Sequence, residues 1–167
     1  MIDTHVHIAN FQTPQPDMLL KSMDAHGVDR LVLCALPSGE LLGLSDTEAY
    51  RFSMDGATQQ KYAVSSGESM AVYGNEVAIC STKNSLISIL DIESGQTLRM
   101  LPLPGSASYG LVGYDAEGAL YYICPEGIYR VNAGGTLFEQ IADGRLISAG
   151  KPNIEARALL FDSENNR

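Results

Sequence analysis

A short motif recurs at a fixed interval through the middle of this chain. Each copy contains an extended run, then a polar turn with glycine, and it closes at Thr58, Thr97 or Thr136, which are 39 residues apart each time. Another extended run follows each threonine, and apolar and polar residues alternate along most of these runs. Alternation with a period of two is typical of strands with one buried face. The equal spacing predicts an array of similar β-units between Ala49 and Gly144.

Turn residues divide this region into short strands. The pattern predicts two complete four-stranded units, with strands at 70–73, 76–80, 86–92 and 97–101 in the first and 109–114, 119–124, 128–131 and 136–141 in the second. A hairpin of 49–53 and 58–64 supplies the last two strands of a preceding unit, and 158–162 opens a following unit. The expected fold class of residues 44–167 is therefore mainly β, built from four-stranded antiparallel units.

This plan resembles the blades of a β-propeller of the quinoprotein-like or NHL-like kind. The chain contains no tryptophan, which argues against the WD type. Closure of a propeller takes four to eight blades, so the resemblance implies an incomplete ring. Three arrangements would cover the exposed sheet faces: a solenoid-like stack, a second copy of the chain, or the rest of a longer protein, of which this chain is then a piece. We favour the last. The resemblance implies a non-catalytic scaffold or binding module.

The first 43 residues follow a different pattern. Residues 1–7 alternate as in a strand, Asp17 is a helix start, and Gly27 is a place for that helix to end. The apolar run Leu31–Leu36 then has the pattern of a strand buried on both faces. Together these segments predict a small βαβ unit over residues 1–43, which precedes the blades.

The segments Met1–Ile8 and Ser22–Leu33 resemble the opening of an amidohydrolase-superfamily metal-dependent hydrolase, a (β/α)₈ barrel. By position, His5 and His7 match the metal-binding pair of that family, and the resemblance implies zinc as cofactor and hydrolysis of amide, ester or related bonds. His26 matches no ligand position. A catalytic zinc site has three protein ligands, and such a barrel needs about 250 residues. A truncated hydrolase with His5 and His7 as metal ligands is thus the alternative function. A third possibility is a join of two unrelated pieces.

Composition limits the partners. The net charge of −9 disfavours nucleic acid, because phosphate binding needs a basic surface. No apolar run is long enough to span a membrane, and no signal peptide is recognisable, so we expect a soluble, cytoplasmic protein. Three widely spaced cysteines, Cys34, Cys80 and Cys124, predict reduced thiols. The expected partner is a protein or a small-molecule ligand, with self-association through uncovered sheet edges as a further possibility.

Turn chemistry accounts for most of the remaining polar residues, so no catalytic residue is predicted. Positive φ angles are expected of the turn glycines Gly56, Gly95, Gly134 and Gly135. Turn roles are expected of the carboxylates Asp55, Glu93, Asp115 and Asp162. Packing between sheets is expected of the strand tyrosines Tyr73, Tyr109, Tyr114, Tyr121, Tyr122 and Tyr129, with a ligand platform as the alternative. No Gly-x-Ser-x-Gly motif is present for a hydrolytic triad.

Overall fold

Three four-stranded antiparallel sheets make up the described part of the protein. The computed structural model describes residues 32–36, 40–45, 47–53, 58–105, 109–132 and 134–143 of the chain. Within each sheet the strands follow chain order, so every strand pairs with its neighbour in sequence. Such meanders form because short turns join antiparallel strands directly. The described residues contain no helix, and so none that is long and apolar enough to cross a bilayer.

The first sheet contains β1 (Val32–Ala35), β2 (Leu41–Leu44), β3 (Glu48–Phe52) and β4 (Thr58–Ala63). The second contains β5 (Ser69–Tyr73), β6 (Glu76–Ser81), β7 (Leu86–Asp91) and β8 (Thr97–Pro102). The third contains β9 (Leu111–Tyr114), β10 (Leu120–Cys124), β11 (Gly127–Val131) and β12 (Phe138–Asp143).

A β-bulge interrupts the pairing of the third strand with the fourth in every sheet. In the first sheet Gln59 is the extra residue, and in the second sheet it is Leu98, one repeat of 39 residues later. The third sheet has its extra residue at Ile141, nearer the other end of the strand. A bulge bends the strand and increases its twist, which makes an outer edge a poorer template for another strand.

The chain divides into two compact units, Met1–Ser65 and Ser66–Arg167. In the first unit, consecutive residues of β3 are buried: Ala49 is 0% exposed and Tyr50 is 4% exposed. Because successive side chains of a strand point to opposite faces, both faces of this sheet are covered. Arg51 on β3 donates hydrogen bonds from Nε and Nη2 to Oε2 of Glu40, at 2.9 and 2.6 Å, and so links β3 to the residue that precedes β2.

The core of the second unit lies between the second and third sheets. The second sheet contributes Ile87 and Ile89, both fully buried, and the third contributes Tyr122, also fully buried. Val77 to Ser81 are consecutive buried residues on β6, so the second sheet is covered on both faces. Cys80 and Cys124 lie in this core as free, buried thiols, which confirms the prediction for these two cysteines.

The predicted fold class is confirmed: the protein is mainly β, and its units are four-stranded antiparallel blades. Strand positions in the second and third sheets agree with the two complete units predicted from the repeat. The described residues hold three blades, fewer than the four to eight of a closed propeller. The strand predicted at 158–162 lies outside the described residues.

The first blade corrects one part of the prediction. The repeat predicted two strands before the first complete unit, whereas this sheet has four, and Val32–Ala35 pairs antiparallel with β2. The lack of alternation in that apolar run predicts a strand of a βαβ unit, but a blade covered on both faces produces the same pattern. The sheet therefore extends across the boundary proposed at 43/44. The strand and helix predicted within residues 1–31 lie outside the described residues, so that part of the βαβ unit stays a prediction.

Candidate interaction surface

The inner strands of the second and third sheets, β5 and β9, lie side by side. Their contact includes a hydrogen bond in which Ser69 Oγ donates to the carbonyl oxygen of Gly110 at 2.9 Å in a buried environment. Gly110 is required at this place, since a Cβ there would lie 2.5 Å from Cε2 of Tyr122 and 2.9 Å from Sγ of Cys80. The absence of a side chain thus sets how closely the two sheets approach.

Two tyrosine rings meet where the inner strands end. Tyr73 is the last residue of β5 and Tyr114 the last of β9, and their ring centroids are 5.7 Å apart with a 32° tilt. The Tyr73 ring also lies on the β9–β10 turn, where a Cβ at Gly118 would fall 2.4 Å from its Cε1 atom. Gly118 has a φ of +82°, which favours glycine. Tyr73 is nevertheless 42% exposed, so the ring is held on one side and open to solvent on the other.

An ion pair lies beside these rings. Arg99 on β8 donates from Nη2 to Oε2 of Glu76 at 3.3 Å, and the two side chains are 39% and 37% exposed. Arg99 also crosses to the third sheet, because a Cβ at Gly135 would lie 2.6 Å from its Nη1 atom. We call Tyr73, Glu76, Arg99 and Tyr114 the seam cluster. Its members come from both sheets.

The Tyr114 hydroxyl is shielded from solvent, and the guanidinium of Arg99 is a group that interacts with it. Burial raises the pKa of Tyr114 to about 12; the carboxylate of Glu76 adds to this rise, and the guanidinium of Arg99 opposes it.

The seam cluster has the chemistry of a binding surface. It offers an aromatic face, a guanidinium and a carboxylate, but no nucleophile paired with a general base. The described part of the chain contains no histidine, and it contains no group of three or more His, Cys, Asp or Glu side chains placed to hold a metal ion. A surface of this composition can contact a partner through stacking and charged hydrogen bonds.

The buried thiols are protected from reaction. Burial raises the pKa of Cys80 to about 12, and Glu68 adds to the rise. Burial also raises the pKa of Cys124. Since the thiolate is the reactive form, both cysteines act as small core residues. Burial also raises the pKa of Tyr122, which packs beside Cys80, and the neighbouring Cys124 and Cys80 add to the rise.

The predicted metal ligands His5 and His7 lie outside the described residues, as do Asp55 and Asp162. Asp115 has the turn role predicted for it: its Oδ1 accepts hydrogen bonds from the backbone N–H groups of Glu117 and Ala119, at 3.1 and 2.7 Å. Its Oδ2 accepts a bond from the Tyr121 hydroxyl at 3.1 Å.

Two other turn anchors were missed. Asp91 Oδ1 accepts bonds from the N–H and the hydroxyl of Ser94, both at 2.7 Å, and these bonds lower the pKa of Asp91. Asn132 Oδ1 accepts from the N–H groups of Thr136 and Leu137, at 3.0 and 3.2 Å. Asp91 is the last residue of the third strand of its blade, and Asn132 directly follows the third strand of the next blade. Their position just before the repeated glycine turn could have predicted that their side chains anchor the turn.

The strand tyrosines do not share one environment. Tyr122 is fully buried, and Tyr114 and Tyr129 are partly buried against the core, as the packing prediction required. Tyr73 also packs between the sheets, against Tyr114 and Gly118, but 42% of the residue stays exposed. Of the turn glycines, Gly95 and Gly135 have positive φ angles of 71° and 68°, whereas Gly134 does not.

No protein-family model matches the sequence, and a search of curated proteins finds no match. Solved structures do resemble the fold. Hydrazine synthase of Kuenenia stuttgartiensis superposes with a TM-score of 0.57 at 17% identity, covering 65% of this chain and 34% of that one. Sqt1 of Saccharomyces cerevisiae has a TM-score of 0.56 at 17% identity, with coverages of 71% and 36%. The WD40 β-propeller domain of Doa1 has a TM-score of 0.54 at 16% identity, with coverages of 64% and 38%.

These likenesses, together with the repeated four-stranded meanders, define the class: the protein has a β-propeller-type fold. The chain spans little more than a third of the length of each of these structures. At such low sequence identity the likeness concerns the fold alone.

Proposed function

We propose that this protein is a non-catalytic β-propeller-type binding module that contacts a protein partner through the seam cluster. The observation that carries the proposal is the state of Tyr73, which is 42% exposed although its ring is fixed against Gly118 and Tyr114. A rigid exposed aromatic side chain loses little conformational entropy on binding.

The residue types of the seam cluster fit this role. Tyrosine and arginine are enriched among the residues that dominate binding energy in protein interfaces. Arg99 is held by Glu76 and the Gly135 turn, so its guanidinium is already positioned. The proposed partner segment presents an apolar or aromatic side chain to Tyr73 and a carboxylate or carbonyl oxygen to Arg99.

Selection from a displayed peptide library against the full chain tests this proposal. We expect peptides selected on the unmodified protein to bind the Tyr73→Ser variant at least about tenfold more weakly, which corresponds to about 1.4 kcal/mol. The matched control is Leu137→Ser, because Leu137 is another exposed apolar side chain, at 62% exposure, that lies outside the seam cluster. Titration calorimetry or fluorescence anisotropy gives the affinities. Peptides that lose affinity for the Leu137 variant and keep it for the Tyr73 variant would contradict the proposal.

Self-association through the outer strands of the second and third sheets, β8 and β12, is the competing form of this proposal. Exposed apolar side chains lie on or next to these strands: Leu98, Met100, Leu137 and Ile141. The bulges at Leu98 and Ile141 interrupt both outer strands, which favours the seam over the edges as the contact surface. Sedimentation over a range of protein concentrations separates the two, since edge pairing gives a mass that rises with concentration.

Metal-dependent hydrolysis stays a prediction based on His5 and His7. Both histidines lie outside the described residues, and the described part of the chain holds no group of three or more His, Cys, Asp or Glu side chains suited to a metal ion. We also propose a cytoplasmic location, which the free state of Cys80 and Cys124 supports.

A further inference from the structure

Asp115 is a buried residue at the turn between β9 and β10, and only 7% of it is exposed. Its Oδ1 atom accepts hydrogen bonds from the N–H groups of Glu117 and Ala119, and its carbonyl oxygen accepts one from the N–H of Gly118 at 3.1 Å. The N–H of Asp115 donates to the carbonyl oxygen of Ala119, also at 3.1 Å. Hydrogen bonds from a carboxylate to successive N–H groups hold a turn in one conformation, so Asp115 fixes this turn.

Tyr121 supports the Asp115 carboxylate from one side of the third sheet. Its hydroxyl donates to Oδ2 of Asp115 at 3.1 Å, and the guanidinium of Arg130 lies over its ring, 5.7 Å from the centroid. Tyr122, the next residue of β10, packs on the second sheet. Because neighbouring residues of a strand point to opposite faces, Tyr121 lies on the side of the third sheet that faces away from the seam cluster.

The turn that Asp115 fixes is also the turn on which the Tyr73 ring lies. A Cβ at Gly118 would be 2.4 Å from Cε1 and 2.6 Å from Cζ of Tyr73. Other turn glycines with positive φ have no such contact, because a Cβ at Gly74 or Gly105 would have no atom within 4 Å. At those two positions glycine suits the backbone alone, whereas at Gly118 the missing side chain also makes room for the ring.

We propose that Asp115 and Tyr121 are positioning residues for Tyr73, which together hold the β9–β10 turn so that Gly118 supports the exposed ring. Neither side chain belongs to the seam cluster, and both act through the backbone of the turn. A contact residue is held in place when the groups that support it are themselves fixed by hydrogen bonds. The consequence for partner binding rests on the proposed function, whereas the positioning of the ring does not.

Asn132 provides a comparison within the same sheet. Its Oδ1 atom accepts hydrogen bonds from two backbone N–H groups of the β11–β12 turn, so it anchors its turn in the same way as Asp115. The glycine of that turn, Gly135, lies against Arg99 and not against Tyr73. Asn132→Ala therefore loosens a turn of the third sheet without removing the support of the Tyr73 ring, which makes it the matched control.

Fluorine NMR of the full chain labelled with 3-fluorotyrosine tests the proposal. The resonance that is missing in Tyr73→Phe identifies Tyr73 among the eight tyrosines. In the unmodified protein we expect the adjacent Tyr114 ring to displace this resonance from the position of free 3-fluorotyrosine. Asp115→Ala should remove most of that displacement and narrow the line, because the ring then moves freely. Asn132→Ala should leave the displacement unchanged.

Two milder variants separate positioning from a general loss of stability. Asp115→Asn should keep the displacement, because an amide oxygen also accepts hydrogen bonds from the N–H groups of the turn. Tyr121→Phe removes one hydrogen bond to Asp115 and should reduce the displacement of the Tyr73 resonance by a smaller amount. Tyr121→Phe decides the question if Asp115→Ala does not fold.

A Tyr73 resonance that keeps its position in both Asp115→Ala and Tyr121→Phe overturns the proposal. An equal loss of displacement in Asn132→Ala also overturns it, because loosening of any turn would then release the ring.

Binding gives a separate readout. Peptides that depend on Tyr73 should bind Asp115→Ala about two- to tenfold more weakly, since a mobile ring has to be ordered on binding. In the Tyr73→Ser background, Asp115→Ala should cause no further loss. A Tyr73 resonance that loses its displacement while peptide affinity stays unchanged supports the positioning and contradicts the proposed function, so the two failures are distinguishable.

Discussion

Gly110 is the residue at which the spacing of two blades is decided. Its missing side chain lets the Tyr122 ring and the Cys80 sulfur approach the inner strand of the third sheet. The neighbouring hydrogen bond from Ser69 fixes the same contact from the second sheet. Gly110 is needed because the sheets approach closely there, whereas other glycines are needed for the backbone conformation of a turn. The sequence alone does not distinguish these two roles.

Gly110→Ala should therefore destabilise the protein by about 1–3 kcal/mol, since the new methyl group overfills a packed core. Guanidinium unfolding followed by circular dichroism gives the change in free energy of unfolding. Gly134→Ala is the control, because a Cβ there has its nearest neighbour, Oγ1 of Thr136, at 3.6 Å, which is ordinary contact. We expect that variant to stay within about 0.5 kcal/mol of the unmodified protein. Equal stability of the two variants would show that the blades are not held by this contact.

At the scale of the element, β8 shows how one outer strand combines two roles. Leu101 is 2% exposed and belongs to the core between the second and third sheets, whereas its neighbour Met100 is 61% exposed. Arg99, which lies in the same strand and pairs with Ile89 of β7, belongs to the seam cluster. Arg99 and Leu101 are two residues apart and share the face toward the third sheet, whereas Met100 belongs to the opposite face, so one face of β8 supplies both a core residue and a member of the seam cluster.

Alanine substitutions at adjacent positions of β8 should separate these roles. Leu101→Ala should cost about 2–5 kcal/mol, because it removes a buried side chain and leaves a cavity. Met100→Ala should change the stability by less than about 0.5 kcal/mol, as is usual at an exposed site. Thermal and denaturant unfolding of the two variants give the comparison. A loss at Met100 as large as that at Leu101 would indicate that a second surface covers β8, as edge-to-edge association requires.

At the scale of the whole molecule, the two compact units divide at Ser65 and Ser66, between the first and second blades. The sequence predicts a division at 43/44, where the composition changes from apolar runs to alternating strands. The first sheet extends across that point, because β1 and β2 pair with each other and β2 pairs with β3. The change in composition at 43/44 therefore lies within a single blade and is not a boundary between two units.

Metal analysis of the full chain tests the function predicted from the first residues. We expect no stoichiometric zinc after dialysis and no change of unfolding temperature in chelator, because two histidines are too few ligands for a catalytic site. His7→Ala and His26→Ala should then have the same metal content, with His26 as the matched control outside the predicted pair. One tightly held zinc ion per chain that is lost in His7→Ala and retained in His26→Ala would instead support the hydrolase.

Much of the second and third blades could be predicted, because local rules dominate there. The β5–β6 hairpin follows from alternating residues around Gly74, whose φ of +57° suits the turn. The seam cluster could not be predicted in the same way. Tyr73 and Tyr122 occupy strands of similar pattern, yet one is 42% exposed and the other fully buried. Their difference depends on which residues of another sheet, far away in sequence, lie opposite them.

The sequence by itself determined the period, the strand and turn positions of two blades, and the free, buried state of Cys80 and Cys124, because alternation, glycine turns and apolar burial act over a few residues. Tertiary structure decided that Val32–Ala35 completes a blade and that Arg99 meets Tyr114 across a seam. Those outcomes depend on strand pairing and on contacts between separate sheets, and neither leaves a mark in the local pattern of residues.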